Sequence, residues 1–563
     1  MKVQVVDSLM TGQLPTLANP PASFPQSIGL KFHALEDQSG GIPRLEANVD
    51  NLTSIGPFTN MNGLPAINQL PTDLPFGNGG PGATRLIEVF AQGDSEEYPV
   101  FPGSPSPIAE VALAVNGGAM DGGPDSSHQG GWDIGIYSAA GSTGTSTDNY
   151  TAGYSVTTTG AVFERFRQAG LHGTANVATR GIVKLRGQTR VSGTGSGLGH
   201  NTALYPIHNG VHLFCLEGYL ALSADDSNFG ENTGSGVFLS CAGSRAQDSP
   251  HPMGLFLGMR RCKIHLNGDT GLELFSGVLP IGAQYAAQTG IVGGSWTRSS
   301  GFADLTTGDP SASLPFGQGV VDRCSISNNG GNGIHVQAEG SAEHYIFCRF
   351  TNNIIWNQPL EGFRSDVTSD GSGGNGIILT PIIQSTLAGN GDLVGASVEF
   401  EDQGVGISAA YSWVPPAGGN PAFGTEIDNT ILQRKNSLAS DLGPNLDIVR
   451  GAPTVPGILG PGFIGLGGLR FTPTGAFGGK TTTGLLVSTD STTPFLVGAP
   501  MWTALNASQF FLDALGANIA DFKNITPTFV NVPSPEIGHD YSGDLRTDLL
   551  SAGDYDKGAE ELP

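Results

Sequence analysis

Short segments with apolar residues two apart recur along the middle of the chain, and each opens with glycine. They are Gly210-Val-His-Leu213, Gly236-Val-Phe-Leu239, Gly271-Leu-Glu-Leu274, Gly333-Ile-His-Val336 and Gly376-Ile-Ile-Leu379. A period of two sends alternate side chains to opposite faces of a half-buried strand. Strings such as NGDTG, NNGGNG and SGGNG lead into some of these segments, supplying residues that tolerate left-handed turns. No 3.6-residue apolar period is sustained through this region. The predicted elements are short strands joined by tight turns.

A second pattern runs alongside. Cys262-Lys-Ile264-His-Leu-Asn267, Cys324-Ser-Ile326-Ser-Asn-Asn329 and Cys348-Arg-Phe350-Thr-Asn-Asn353 all read C-x-[IF]-x-x-N. Gly294-Ser-Trp296-Thr-Arg-Ser299, with glycine at the cysteine place, divides the long gap between the first two. Recurrence at roughly 20–32 residues marks a repeat architecture. Propeller blades would need longer units with aromatic signatures, which are missing. The pattern predicts an all-β chain, a single-stranded right-handed parallel β-helix whose coils stack like residues at ~4.8 Å. The cysteines form an interior column of small hydrophobes. Each asparagine stacks at a turn and bonds its counterpart on the next coil. Without a C-x-x-C pair, zinc ligation has little support.

The organisation expected is an N-terminal strap or cap over 1–135, a helix of coils over 136–530 and a C-terminal capping motif over 531–563. Extended Pro-rich strings (LPTLANPPASFP, LPTDLPFGNGGPG) suggest the strap, which would cover open strand edges. The clearest coils span 175–400 and looser ones 400–530. MWTALNASQFFLDALGANIADF (501–522) is the best short-helix candidate, with Leu505, Phe510, Phe511 and Leu515 on one face.

Composition agrees and narrows the partners. Gly 85 and Pro 37 make up about 22 % of 563 residues, and only 13 % are charged. A net charge of −24 argues against nucleic acid, whose phosphates need clustered cations. No signal peptide is recognised at the N-terminus, and no apolar run is long enough to span a membrane. Asp225, Asp226 and Glu231 in SADDSNFGEN offer oxygen ligands for Ca²⁺ at loop-like spacing, though not that of an EF-hand.

The tail reads Asp540-Tyr541-Ser-Gly543-Asp-Leu-Arg546, then Asp556-Lys-Gly558-Ala559-Glu-Glu561. This resembles the D-[FY]-x-G-x-x-R … D-x-G-A-x-E pattern that closes many bacterial right-handed parallel β-helix repeat proteins, often with a choice-of-anchor Q type of C-terminal domain. The match covers about 25 residues, and the coils extend a weaker likeness over some 220 more. Here TDLLSAGDY is inserted between Arg546 and Asp556, and no sorting helix or LPXTG-like anchor follows. Read as a cap, Asp540, Arg546, Asp556 and Glu561 form an ion-pair lattice. The resemblance implies a pectin-lyase-like fold and an extracellular or cell-surface setting; the cytoplasm is the alternative.

That fold hosts lyases, hydrolases, epimerases, tailspikes and adhesins, and does not choose among them. Hydrolase strings expected of polygalacturonase-like chains are absent apart from Asp225-Asp226. The middle positions of the Gly-φ-x-φ strands give an outward column of His212, Glu273, His335 and, from Gly362-Phe363-Arg364, Arg364. His335 as base beside Arg364 suits uronate elimination. Lys263, His265 and Arg349 form a second, basic strip for an acidic polysaccharide, with Glu273 also a binding candidate. Tyr285, Trp296, Trp356, Tyr411 and Trp413 are aromatics that could stack on sugars, Trp296 being the one better suited to the core. The expected function is a structural or polysaccharide-binding protein, with self-assembly and oligomers compatible. The alternatives are a lyase on acidic glycans and a viral receptor-binding fibre.

Overall fold

The computed structural model describes residues 1–13, 28–35, 43–58, 85–93, 108–123, 132–142, 151–176, 179–196, 208–216, 218–242, 254–276, 290–293, 321–339, 343–368, 375–379, 382–383, 385–388, 390, 400–403, 426–428, 431–433, 448–450, 462–467, 485–489 and 540–542. Described strands fall into three parallel sheets that the chain visits in turn, and the described residues contain no α-helix. The fold is a right-handed parallel β-helix. Two compact units divide it: Met1–Phe256 with Val278–Tyr285 and Phe302–Gly317, and Leu257–Gly277 with Ala286–Gly301 and Gln318–Pro563.

In the first unit, one coil runs Ala152–Thr159, Val162–Glu164 and Ala169–Ala175, one strand in each sheet. Coils begin earlier than the sequence suggests. Lys2–Val6, Leu9–Gln13 and Ile28–Leu35 already lie in the three sheets, within the stretch expected as a strap. Register stacks like on like. Ala47, Leu113, Val156, Val183 and Leu222 form one inward column of the first sheet, and all are buried. Met120, Phe163, Val191 and Phe229 form another in the second. Corners between first and second sheets use left-handed residues, singly at Asp7, Asn51 and Asp226 and in pairs at Gly117–Gly118 and Gly187–Gln188. Bulky Tyr154 packs where the third and first sheets supply glycine: a Cβ at Gly181 would lie 2.5 Å from its ring.

The outward row of the third sheet in this unit is largely buried too, with Phe238 half-buried. Tyr137, His172, His212 and Phe238 stand in register, with successive ring centroids 5.5, 5.1 and 4.9 Å apart. Arg85 caps Tyr137 at 3.7 Å and pairs with Glu88, which also binds His33. His212 is therefore not an exposed member of a column. Asn209 Nδ2 donates to His212 Nδ1 at 3.1 Å, leaving the ring proton on Nε2. The Nε2 atoms of His172 and His212 make no hydrogen bond to described residues. Burial pushes His212 down to about 4, and burial, then the His212 charge, holds His172 well below the usual imidazole range.

In the second unit, buried amides tie coil to coil. The Asn267 N–H and Nδ2 donate to Asn329 Oδ1 at 3.2 and 2.8 Å, and those of Asn329 to Gln358 Oε1 at 2.8 and 3.2 Å. Gln358 N–H in turn donates to Asn390 Oδ1 at 3.0 Å. The expected asparagine ladder exists, but Gln358 holds the place given to Asn353. Asn353 lies five residues earlier in the coil, accepting from the Cys324 N–H.

The five cysteines are buried and free, yet not one column. Cys215 and Cys241 face each other in the third sheet. Cys262 and Cys324 pair ahead of the second-sheet strands Lys263–His265 and Ser325–Ser327. Cys348 ends the strand Glu343–Cys348 of the first sheet. Register explains the split: Phe350 stands beside Val321, not Ile326, so the third C-x-[IF] frame lies on another sheet. Of the tail, buried Asp540 is described, and Tyr541 packs on Ile354 and Trp356. Arg546, Asp556, Glu561, the 501–522 helix candidate and the Trp296 frame lie outside the described residues.

Three outcomes follow from this packing. Asn329→Ala strips acceptors from two Asn267 donors and should cost about 2–4 kcal/mol in urea unfolding. A colorimetric thiol reagent should find almost no reactive cysteine in the native protein and all five after denaturation. Burial pushes the Cys215, Cys324 and Cys348 thiols up, which removes the reactive thiolate. Acid should destabilise in two stages. Between pH 6.5 and about 4 the unfolded chain binds a proton that native His212 refuses, so stability falls with pH, by roughly 3 kcal/mol for this group. Glu88 follows: burial raises its pKa, but hydrogen bonds from His33 and Arg85 prevail and bring it down to about 2. Its stabilisation is complete above 4.5 and lost as pH falls through about 2. Thermal midpoints across this range should show the first stage shrink in His212→Phe.

Candidate functional site

The third sheet of the second unit carries the outward row that the Gly-φ-x-φ pattern anticipates. Its strands Leu272–Ser276, Ile334–Glu339, Phe363–Thr368 and Phe400–Gln403 are adjacent and parallel. Register places Glu273 beside His335, His335 beside Arg364 and Arg364 beside Glu401. Alternation does the sorting: flanking Leu272, Leu274, Ile334, Val336 and Phe363 are fully buried. The intervening side chains of Glu273, His335 and Arg364 stay 22, 16 and 31 % exposed. Gly271, Gly333 and Gly362 open the first three strands because the backbones pass closely. A Cβ at Gly333 would meet the Gly362 carbonyl at 2.5 Å.

A carboxylate–imidazole contact and an ion pair organise the row. His335 Nδ1 lies 3.9 Å from Glu273 Oε1. Arg364 Nη1 lies 3.9 Å from Glu361 Oε2, a side chain only 1 % exposed. The sequence reading missed Glu361. It occupies the position just before the strand's glycine, as Asn332 and Thr270 do in other coils, and the backbone locks it there. Its N–H donates to Asn332 Oδ1 at 3.2 Å, and its carbonyl accepts the Gly333 N–H at 2.9 Å. The i,i+3 spacing of Glu361 and Arg364 was the available signal.

The second, basic strip is not assembled. Lys263 is exposed and His265 half-buried. Their neighbours on the next coil are Ser325 and Ser327, and beyond these Ile354 and Trp356. Arg349 is 2 % exposed, because the frame shift at Cys348 puts it ahead of a first-sheet strand rather than beside Lys263. Trp356, expected to face solvent, is 6 % exposed. Tyr285, Trp296, Tyr411 and Trp413 lie outside the described residues.

The calcium candidates are not gathered around one point. Asp225 ends a first-sheet strand, with its carboxylate 3.2 Å from Arg186. Asp226 forms the next corner, with φ 51°. Glu231 sits at the following corner, across the strand Asn228–Gly230, 3.8 Å from Arg190. Calcium takes six to eight oxygens, and guanidinium partners are poor company for it. Among the described residues, no three His, Cys, Asp or Glu side chains form a metal-holding group.

Chemically, the row combines carboxylate, imidazole and guanidinium groups on adjacent strands. It could accept and donate hydrogen bonds along a linear ligand, and an imidazole beside a carboxylate can move a proton.

No family model matches the sequence, and comparison with curated proteins yields no match. Among solved structures, the chain is similar to pectate lyase Pel9A, at 12 % identity and a TM-score of 0.29, over 96 % of this chain and 98 % of that one. It is also similar to the A-module of mannuronan C-5 epimerase AlgE4 from Azotobacter vinelandii, at 11 % identity and a TM-score of 0.24, over 69 % of this chain and 89 % of that one.

Proposed function

We propose that this chain is a glycan-binding β-helix protein of the extracellular space or cell surface, holding a polysaccharide along the outward face of the third sheet. The observation that carries the reading is the consecutive register of Glu273, His335, Arg364 and Glu401. Strands ~4.8 Å apart repeat polar groups along a line, which suits a linear polymer better than a compact small molecule. Partial exposure adds support: Glu273, His335 and Arg364 are open enough to touch a ligand and packed enough to be preorganised. The extracellular setting rests on the tail pattern, and the glycan class on the chemistry of the row.

Binding of the full chain to an immobilised panel of plant, algal and bacterial polysaccharides tests this. Glu273→Ala, His335→Ala and Arg364→Ala should each weaken the binding seen in wild type by about tenfold, the equivalent of about 1.4 kcal/mol. Retention of no polysaccharide would overturn the reading. A rise in ultraviolet absorbance from an unsaturated product, lost in His335→Ala, would replace binding with elimination. Sedimentation into large homogeneous assemblies without glycan affinity would instead assign a structural role.

A further inference from the structure

We propose that the cysteines form two latent disulfide sites, Cys215–Cys241 in the first unit and Cys262–Cys324 in the second, closed when the chain folds in an oxidising medium. Register supplies the geometry. Cys215 and Cys241 are direct partners on the adjacent third-sheet strands Asn209–Leu216 and Val237–Ala242. Cys262 and Cys324 each stand one residue ahead of the paired strands Lys263–His265 and Ser325–Ser327, and the Ser325 N–H donates to the Cys262 carbonyl at 2.9 Å. In both pairs the two thiols lie within hydrogen-bonding reach of each other. In-register Cα atoms ~4.8 Å apart fall inside the ~4.4–6.8 Å span of a disulfide. Side chains at matched positions also leave their strands in the same direction. A bond therefore asks for side-chain rotation and a slight approach of two neighbouring strands.

Cys348 is placed differently. Its register neighbour is Gly293, and the coil after Cys324 presents Asn353, whose Oδ1 accepts the Cys324 N–H at 2.9 Å. The odd total of five cysteines thus resolves into two pairs and one single thiol. Each pair joins one coil to the next, across sequence separations of 241 − 215 = 26 and 324 − 262 = 62 residues. Closing the longer interval restricts the unfolded chain more.

Burial decides when the bonds form. All four paired cysteines are buried in the folded chain, and burial holds the Cys215 and Cys324 thiols protonated, which blocks exchange with a reagent in solution. The reaction belongs to folding, before the coils close. One cysteine thiolate attacks a small-molecule disulfide such as oxidised glutathione, forming a mixed disulfide and releasing one thiol. The partner thiolate then attacks the protein sulfur of that mixed bond and expels the second. Two electrons pass from the cysteine pair to the small disulfide, and the two cysteine protons end on the released thiols. Such bonds persist in the extracellular setting proposed above and not in a reducing cytoplasm.

The full chain is unfolded in urea with reductant, then refolded either in mixed oxidised and reduced glutathione or with reductant alone. After oxidative refolding, denaturation and alkylation should label Cys348 only, and peptide mapping should recover the Cys215–Cys241 and Cys262–Cys324 links. Reductive refolding should leave all five cysteines open to the label. The oxidised form should melt higher than the reduced form by roughly 5 °C. Cys241→Ala should abolish the first link and keep the second, and Cys324→Ala should do the reverse. Should the chain fail to refold, export into the oxidising bacterial periplasm, compared with expression in the cytoplasm, reads the same outcome. Five labelled cysteines after folding in the oxidising medium would overturn the proposal. So would links that involve Cys348, or an oxidised form that melts lower. Recovery of one link alone would overturn the other site.

Discussion

Parallel in-register stacking is the constraint on which the rest of the structure depends. Once backbone ladders join one coil to the next, each side chain meets the occupant of the same position ~4.8 Å away. Choice at one position then becomes a choice for a whole column. Apolar columns such as Ala47, Leu113, Val156, Val183 and Leu222 satisfy this by burial alone. Polar residues inside the coils must find partners in the same column. Asn267, Asn329, Gln358 and Asn390 do so, the side-chain carbonyls of the last three each receiving a backbone N–H from the preceding coil. These amides satisfy corner donors that would otherwise be buried without a partner, at a cost of about 1–3 kcal/mol each.

Register also explains what was legible in the sequence. The Gly-φ-x-φ segments were readable because two-residue alternation and a glycine opening are both local, and they gave Glu273, His335 and Arg364 their shared row. The C-x-[IF]-x-x-N frame was readable for Cys262 and Cys324 and misleading for Cys348. Five residues separate Cys262 from Asn267 and Cys324 from Asn329; the same interval separates Cys348 from Asn353, Asn353 from Gln358 and Ser385 from Asn390. Structure selects the Asn353–Gln358 and Ser385–Asn390 intervals, since Ile354 stands beside Ser325 and Thr386 beside Ile354. What repeats is hydrogen-bonding capacity at the corner, not residue identity, and a pattern built on cysteine could not register that. Arg349 and Trp356 were misassigned to the surface by that same displacement or by neighbours distant in sequence: Tyr541 packs on Trp356 from the tail.

The early coils were harder to see. Long stretches rich in proline and glycine separate the strands between Lys2 and Asp121, so no fixed repeat length links them. Yet Lys2–Val6 and Arg44–Asp50 pair residue for residue. A β-helix coil is specified by its three strands and corners. Loop length between them costs little, because closure entropy grows only logarithmically. A search for a constant period therefore undercounts coils wherever loops lengthen.

One sequence position carries two chemistries in the two units, and burial separates them. In the first, the x of the third-sheet pattern is a ring: Tyr137, His172, His212 and Phe238 stack at close to the strand spacing. Removed from water, the imidazoles are held neutral, because a charge there would lack solvation and would sit beside another imidazole. In the second, the same x is Glu273, His335 or Arg364, partly exposed, where charge is tolerated if neighbours compensate it. A histidine in a Gly-φ-x-φ strand is therefore no indication of reactivity by itself. His212 and His335 share a motif, but only His335 combines solvent contact with a carboxylate and a guanidinium on adjoining strands. Glu361 completes the distinction: a carboxylate 1 % exposed stands 3.9 Å from Arg364, so burial and charge meet at the edge of the same row.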